Sequence, residues 1–244
     1  MVRKDVRSKQ KRNNDALPVE YGDVMYKYPI SIVTCAYNEE KTIGGLISRI
    51  RKALHDVKHE IIVVDDASTD KTHDIAKKCA DRVIRTAHVG QTNCLWKGIR
   101  EAKYPTVVTM DADLEHLPED IPRLLAKLGT HDYVCGSRTS LPRLSERLSG
   151  VLLGRLLGVR DTFTNLRAFN GNVKRYFISK GHLTANTYGL EFQIRAKKGG
   201  FRVAEIPIKA IRRKDSRIGN SFRTELKLLR AMVAGIFLLL NPLA

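Results

Sequence analysis

The sequence predicts an α/β protein built on a doubly wound, mostly parallel sheet with helices on both faces. Three observations predict it. Short apolar runs alternate with segments of helical spacing from Pro29 to Gly136. The runs are continuously apolar, as strands buried on both faces are. Polar clusters follow the runs directly, where open α/β sheets bind ligands beyond the carboxyl ends of their strands. Such alternation implies parallel strands joined by helical crossovers.

The elements follow in order. Pro29–Thr34 is a strand, and Thr42–Leu54 has helical spacing through Ile43, Leu46, Ile47, Ile50 and Leu54. Glu60–Val64 is a strand, Thr72–Ala80 a helix, Arg82–Arg85 a short strand, Gln91–Ala102 a helix and Thr106–Met110 a strand. Pro118–Leu128 opens with Pro118, Glu119 and Asp120, residues suited to a helical first turn. Tyr133–Gly136 is a further strand. Ser140–Arg160 is basic and amphipathic, with Leu144, Leu148, Val151, Leu152 and Leu156 among Arg143, Arg147 and Arg155. It reads as an interface helix or helix pair. Arg202–Ile208 is a strand returning to the sheet. The chain divides into a basic arm (1–28), the α/β domain (29–220) and a basic-to-apolar helix near a membrane (221–244).

A chain of 244 residues with 43% apolar content can bury one large core plus appendages. The net charge of +17 implies an anionic partner: nucleic acid, an anionic membrane or a phosphorylated substrate. Cys35, Cys79, Cys94 and Cys135 have no C-x-x-C spacing and read as reduced, buried thiols of a cytosolic protein. Met1–Asn14 is polar and basic, without the apolar core of a signal peptide. The apolar stretch Ala231–Leu240 falls short of the roughly 20 residues that span a bilayer. Arg212, Arg213, Lys214, Arg217, Arg223, Lys227 and Arg230 precede or enter it. Docking on a membrane surface and packing as a core helix both remain open. So does a third reading, the start of an anchor in a chain that continues past Ala244. The expected location is cytoplasmic, peripheral on the cytoplasmic face of a membrane.

Two acidic strings carry the chemistry: Val63-Val64-Asp65-Asp66 and Met110-Asp111-Ala112-Asp113-Leu114-Glu115. Crowded carboxylates at strand ends call for a cation among them. Alternate side chains of an extended segment share a face, so Asp111, Asp113 and Glu115 can point into one site. Hard oxygen ligands in an incomplete set suit Mg²⁺ or Mn²⁺, with phosphate oxygens completing the shell. His116 reads as a loop residue rather than a ligand.

Three segments now become specific: Ser31-Ile32-Val33-Thr34-Cys35-Ala36-Tyr37-Asn38-Glu39-Glu40, Val63 to Thr72, and Asp111-Ala112-Asp113-Leu114-Glu115-His116-Leu117-Pro118. With Gly136-Ser137-Arg138, Asp161 to Arg167, Glu205-Ile206-Pro207-Ile208, Arg213, Ser216 and Arg217, they resemble glycosyltransferase family 2 over about residues 29–220. Within it the chain is most similar to dolichyl-phosphate mannose synthases and other polyprenyl-phosphate sugar synthases.

The resemblance implies the Rossmann-like GT-A fold and a set of roles. Cys35, Ala36, Tyr37, Asn38, Glu39, Val64, Asp65 and Asp66 would hold the nucleoside. Asp111 and Ala112 would contact the nucleotide sugar, and Asp113 and Glu115 would hold the metal. Arg138 would meet donor or lipid phosphate, Arg143 and Arg147 the lipid phosphate, and Arg213 and Arg217 would clamp phosphate. Gln91, Arg167 and Glu191 are secondary candidates. Asn165 stands where relatives carry Gly, a residue exchange that a left-handed backbone tolerates. Glu115 stands where many carry Gln.

The implied reaction is inverting transfer of one sugar to polyprenyl or dolichyl phosphate. GDP-mannose is the favoured donor, with UDP-sugars as alternatives. An anionic membrane surface and a membrane-embedded subunit are the implied partners. An ionised lipid phosphate is already a nucleophile, so orientation and charge stabilisation suffice. A soluble glycan acceptor is the alternative and would need a general base. Nucleic-acid binding without catalysis is the remote one. No aromatic stacking platform or recognised motif supports it, so no nucleic-acid partner is expected.

Overall fold

The computed structural model describes residues 28–183, 187, 189–209, 211 and 222–241. β1 (Ile30–Ala36) pairs in parallel with β2 (His59–Asp65) and β4 (Thr106–Asp111), and β2 pairs in parallel with β3 (Arg82–Arg85). β5 (Tyr133–Arg138) pairs in parallel with β7 (Val203–Ile208). β6 (Arg167–Phe169) is inserted antiparallel between β4 and β5. The sheet order is β3-β2-β1-β4-β6-β5-β7. Apolar periodicity does not announce β6. It is three residues long and holds a fully buried arginine, Arg167.

The strands lie where the apolar runs predict, with β1, β2, β4 and β5 running one or two residues further at their carboxyl ends. Asp65 and Asp111 are thus terminal strand residues rather than loop residues. Register brings Cys35 opposite both Val64 and Asp111, and Ala36 opposite Asp65. The carboxyl edge is therefore one row of candidate site residues.

Helices cover both faces. α1 (Ile43–Ala53), α2 (Thr72–Cys79) and α4 (Ile121–Leu128, after a 3₁₀ turn at Pro118–Asp120) lie on one side. α3 (Gln91–Glu101) lies on the other, so tightly that a Cβ on Gly98 would press against Val33 and Val64. Ser140–Arg160 resolves into the pair α5 (Leu144–Leu152) and α6 (Gly154–Leu157). α7 (Gly171–Ser179) and α8 (Leu190–Lys198) join the α3 side. The Asn170 cap accepting from Asn172 and Val173 amides was a legible start signal for α7.

α9 (Phe222–Leu240) has 19 residues and begins well before the apolar stretch. It buries Leu228, Ala231, Met232 and Gly235, with Gly235 lying against Leu190 of α8. It exposes Phe222, Leu226, Val233, Phe237 and Leu240. One face of α9 is therefore core, as the core-helix reading expects, and another is an uncovered apolar stripe. Among the described residues, no helix is long and apolar enough to cross a membrane. All four cysteines are free. Cys94 and Cys135 are buried, whereas Cys35 and Cys79 are partly exposed, contrary to expectation. Cys35 is partly exposed because it ends on the ligand-facing edge of β1.

Candidate active site

A cavity of about 610 Å³ opens along the carboxyl edge of the sheet. It gathers Cys35, Tyr37, Asn38 and Glu39 after β1, Asp66 after β2 and Gln91 at the start of α3. It also gathers Asp111, Ala112, Asp113, Glu115 and His116 after β4, and Arg138 and Arg143 after β5. Ala36, Val64 and Asp65 are not among its lining residues; they support it from behind.

The backbone is strained in the loops that border this cavity, with Asn38 and His88 lining it. Asn38, Ala67, His88 and Leu114 have φ of 51°, 64°, 55° and 61°. One lies in each loop after β1, β2, β3 and β4. Such conformations persist in non-glycine residues only where the surroundings impose them. Here hydrogen bonds do so. Asn38 N–H donates to Ser68 Oγ (2.9 Å), Thr69 N–H to Asn38 Oδ1 (2.7 Å) and Glu39 N–H to Thr72 Oγ1 (2.7 Å). The first two loops are stapled together.

The adjacent aspartates divide the work. Asp65 is fully buried, accepts from Ser68 N–H (3.0 Å) and faces His73 (3.0 Å). Asp66 lines the cavity and accepts from Thr86 Oγ1 (2.8 Å), Val89 N–H (2.7 Å) and Gly90 N–H (2.9 Å). Burial pushes the Asp66 pKa up, but these bonds and Cys94 outweigh it and hold it below the ordinary value. Asp66 thereby shapes the loop carrying His88, whose ring lies 4.6 Å from that of Tyr37.

Asp111 sits at the centre of a polar relay. Gln91 Nε2 donates to its Oδ1 (2.5 Å), Asn165 Nδ2 donates to the same oxygen (3.1 Å), and Arg167 donates to Asn165 Oδ1 (3.0 Å). Asn165 therefore acts through its amide, and its φ is not positive, contrary to the backbone reading of that position. Burial, reinforced by the Asp113 carboxylate, raises the Asp111 pKa to about 7 against the pull of Arg167. Asp113 Oδ1 accepts from Glu115 N–H (3.0 Å), which tightens the turn.

Glu115 Oε1 is buried with no hydrogen-bond partner. An orphaned carboxylate oxygen beside two further carboxylates fits a hard divalent cation. Among the described residues no three His, Cys, Asp or Glu side chains form a ready set of ligands, so ligand oxygens would complete the shell. His116, read from sequence as a loop residue, is buried and lines the cavity, 3.7 Å from Asp111. Burial, aided by Arg138, lowers its pKa to about 4, so it is neutral at neutral pH.

The arginines are placed differently. Arg138 Nε and Nη2 donate to Asp161 (2.6 and 2.9 Å), and Nη1 donates to Glu146 (3.2 Å). Arg143 Nη1 donates to the same Glu146 oxygen (2.7 Å). Arg147 Nε donates to the Leu141 carbonyl, and the residue does not line the cavity. Arg167 lies behind Asp111 and stacks on Phe192, 5.1 Å from its ring centre. Glu191 pairs with Arg195 (2.7 Å) away from the cavity lining. Arg213 and Arg217 fall outside the described residues. Sequence reading did not single out His88, Glu146, Phe163, Thr224 or Leu228 for the site, nor Lys227 as more than part of a basic run. For His88, its place between a short strand and Gly90 at the mouth of a helix was the available signal.

A mostly parallel sheet with one inserted antiparallel strand, and a D-x-D turn after β4 facing a cavity, is the architecture of the GT-A fold. Glucosyl-3-phosphoglycerate synthase from Mycobacterium tuberculosis, solved with phosphoglyceric acid, has the same fold. Its TM-score is 0.69 at 20% identity, covering 85% of this chain and 80% of that one. The model of glycosyl transferase family 2 matches residues 31–153, and the chain belongs to that family. An uncharacterised protein of Methanocaldococcus jannaschii is 35% identical over 208 residues, 76% of this chain and 82% of the relative. The dolichyl-phosphate hexose transferase of Haloferax volcanii is 31% identical over 193 residues, 73% and 81% respectively. The dolichol-phosphate mannosyltransferase of Pyrococcus furiosus is 36% identical over 115 residues. That match covers 45% of this chain and only 33% of the relative.

Proposed function

We propose that this glycosyltransferase is metal-dependent and inverting, and moves one sugar from a nucleotide-sugar to a polyprenyl or dolichyl phosphate. Mannose carried as GDP-mannose is the favoured donor, and UDP-sugars are the competing ones. One observation carries the acceptor class. Thr224, Lys227 and Leu228 of α9 and Arg143 at the start of α5 line the cavity, while the same two helices turn Leu144, Val151, Phe222 and Phe237 to solvent. Arg147, Arg155, Arg223 and Arg230 flank those apolar side chains. An apolar face edged with basic residues complements an anionic bilayer surface. It would bring the cavity to a lipid-borne phosphate on the cytoplasmic side. The names of the Haloferax and Pyrococcus relatives support the same class.

The chemistry follows from charge. A phosphate-monoester oxygen attacks the anomeric carbon, the bond from that carbon to the nucleoside diphosphate breaks, and configuration inverts. No proton need be removed from an ionised phosphate monoester. Tyr37, Asp66 and the His88 loop would frame the nucleoside. Asp111, aimed by Gln91 and Asn165, would orient the sugar. Asp113 and Glu115 would hold Mg²⁺ or Mn²⁺, which when bound would neutralise charge on the diphosphate leaving group. Arg213 and Arg217 are proposed as a phosphate clamp.

The test is label transfer to dolichyl phosphate with Mg²⁺ or Mn²⁺, supplying GDP-mannose, UDP-glucose or UDP-N-acetylglucosamine separately. Label entering the organic phase with one donor establishes acceptor class and sugar together. Donor turnover without transfer to lipid points instead to a different acceptor or to a required membrane-embedded partner subunit.

A further inference from the structure

We infer that Lys227 of α9 is the counter-charge that binds the phosphate of the acceptor. The inference rests on the lipid-phosphate reading above and names the residue that executes it. It begins with charge accounting at the α5–α9 end of the cavity. Arg138 and Arg143 face Glu146, and Arg138 also forks onto Asp161: two cations against two carboxylates. The side chains of Glu146 and Asp161 are 3% and 1% exposed. Pulling Arg138 onto a phosphate would strand the buried Asp161 beside that phosphate, and drawing Arg143 away would leave Glu146 only its longer contact to Arg138, 3.2 Å. This cluster is neutral, each of its charges facing an opposite one.

Lys227 is different. It lines the cavity, its side chain is exposed, and no hydrogen bond or ion pair engages its ammonium among the described residues. Thr224, Lys227 and Leu228 are spaced to share one helical face, and all three line the cavity. The helix is fixed in place there. Glu225 Oε2 accepts from Ser145 N–H (3.0 Å) in the first turn of α5, and Leu228 and Ala231 are buried. The other lysine in the cavity, Lys41, stands beside Glu39 and Glu40 in the loop after β1, at the nucleoside end.

Placement adds a second argument. Phe222, Leu226, Val233 and Phe237 form the exposed stripe of this same helix. A helix laid on a bilayer by that stripe would carry Lys227 to the cavity mouth, where a lipid phosphate enters.

The experiment is calorimetric titration with a short-chain, water-soluble prenyl phosphate, in the presence of Mg²⁺ and a nucleoside diphosphate. Wild type is compared with Lys227→Met, Lys227→Arg and Arg230→Met. Lys227→Met should weaken prenyl-phosphate binding about 10- to 100-fold, the range of one charge-assisted hydrogen bond. Lys227→Arg should recover most of the loss. Arg230→Met should bind like wild type. Nucleoside diphosphate affinity, measured separately, should stay unchanged in all three, which excludes misfolding as the cause. Wild-type affinity in Lys227→Met overturns the assignment and leaves the lipid-phosphate reading standing. An equal loss in Arg230→Met also overturns it, since the effect would then be diffuse charge. No binding by wild type overturns the acceptor class itself and the Lys227 role with it.

Discussion

Replacing Arg138 by Met tests whether this residue is structural before it is anything else. Its side chain is 14% exposed and supplies three hydrogen bonds to carboxylates that are nearly inaccessible to water. Glu146 would keep Arg143. Asp161 would keep one weak bond from the Arg138 backbone amide, at 3.2 Å. Leaving one buried carboxylate without its partner costs about 3–5 kcal/mol, so Arg138→Met should lose that much stability at pH 7. The pH dependence gives the sign. In the wild type, burial pushes the Asp161 pKa up, but Arg138 outweighs it and holds the pKa below its ordinary value. Its contribution is then present above the unfolded carboxylate value of about 3.9 and is lost as pH falls through the folded value. In the variant the unpaired carboxyl is raised instead, so its penalty is largest at pH 7 and shrinks as protonation relieves it towards pH 5. Arg138→Met with Asp161→Asn should recover part of the loss. Urea unfolding followed by Trp96 fluorescence, at both pH values, measures all of this. A loss under about 1 kcal/mol at pH 7, together with a raised KM for the lipid phosphate, would refute the reasoning and return Arg138 to direct phosphate binding.

Three further outcomes are expected. Asp113→Ala should abolish turnover without lowering the unfolding midpoint in metal-free buffer, because it removes one of three mutually repelling carboxylates; a lower midpoint would show that Asp113 is needed for the fold. Gly98→Ala should destabilise by about 1–3 kcal/mol, since the added methyl meets Val33 and Val64 where α3 crosses the sheet; thermal unfolding reads it. Val151→Glu with Phe237→Glu, both on the exposed apolar face, should reduce co-sedimentation with anionic vesicles. Turnover with a soluble prenyl phosphate should be unchanged, and undiminished vesicle binding would reject that face as the docking surface.

Much of the molecule was legible in its order of residues. β1, β2, β4 and β5 are marked by apolar runs such as Ile61–Val64 and Val107–Met110, whose burial on both faces follows from their composition; β3, an edge strand of two apolar residues between arginines, is marked only by its place between two helices. The strand-end position of Asp111 and the D-x-D turn follow from those runs. β6 was illegible because its three residues are held by neighbouring strands and not by any period of their own. The roles of Asp65 and Asp66 were also indistinguishable in sequence, since two adjacent acids differ only in the direction their side chains take from the strand end.

Local patterning marks every described strand but β6, most of the helices and the carboxyl-edge clusters, because periodicity and spacing act over a few residues. Which charges are already neutralised emerges from the folded arrangement alone. Arg138 meets Asp161 across 23 positions of chain, Gln91 meets Asp111 across 20, and Lys227 reaches the same cavity from the last described helix. Coulomb attraction and desolvation depend on distance through space and on burial, and a residue's neighbours along the chain specify neither.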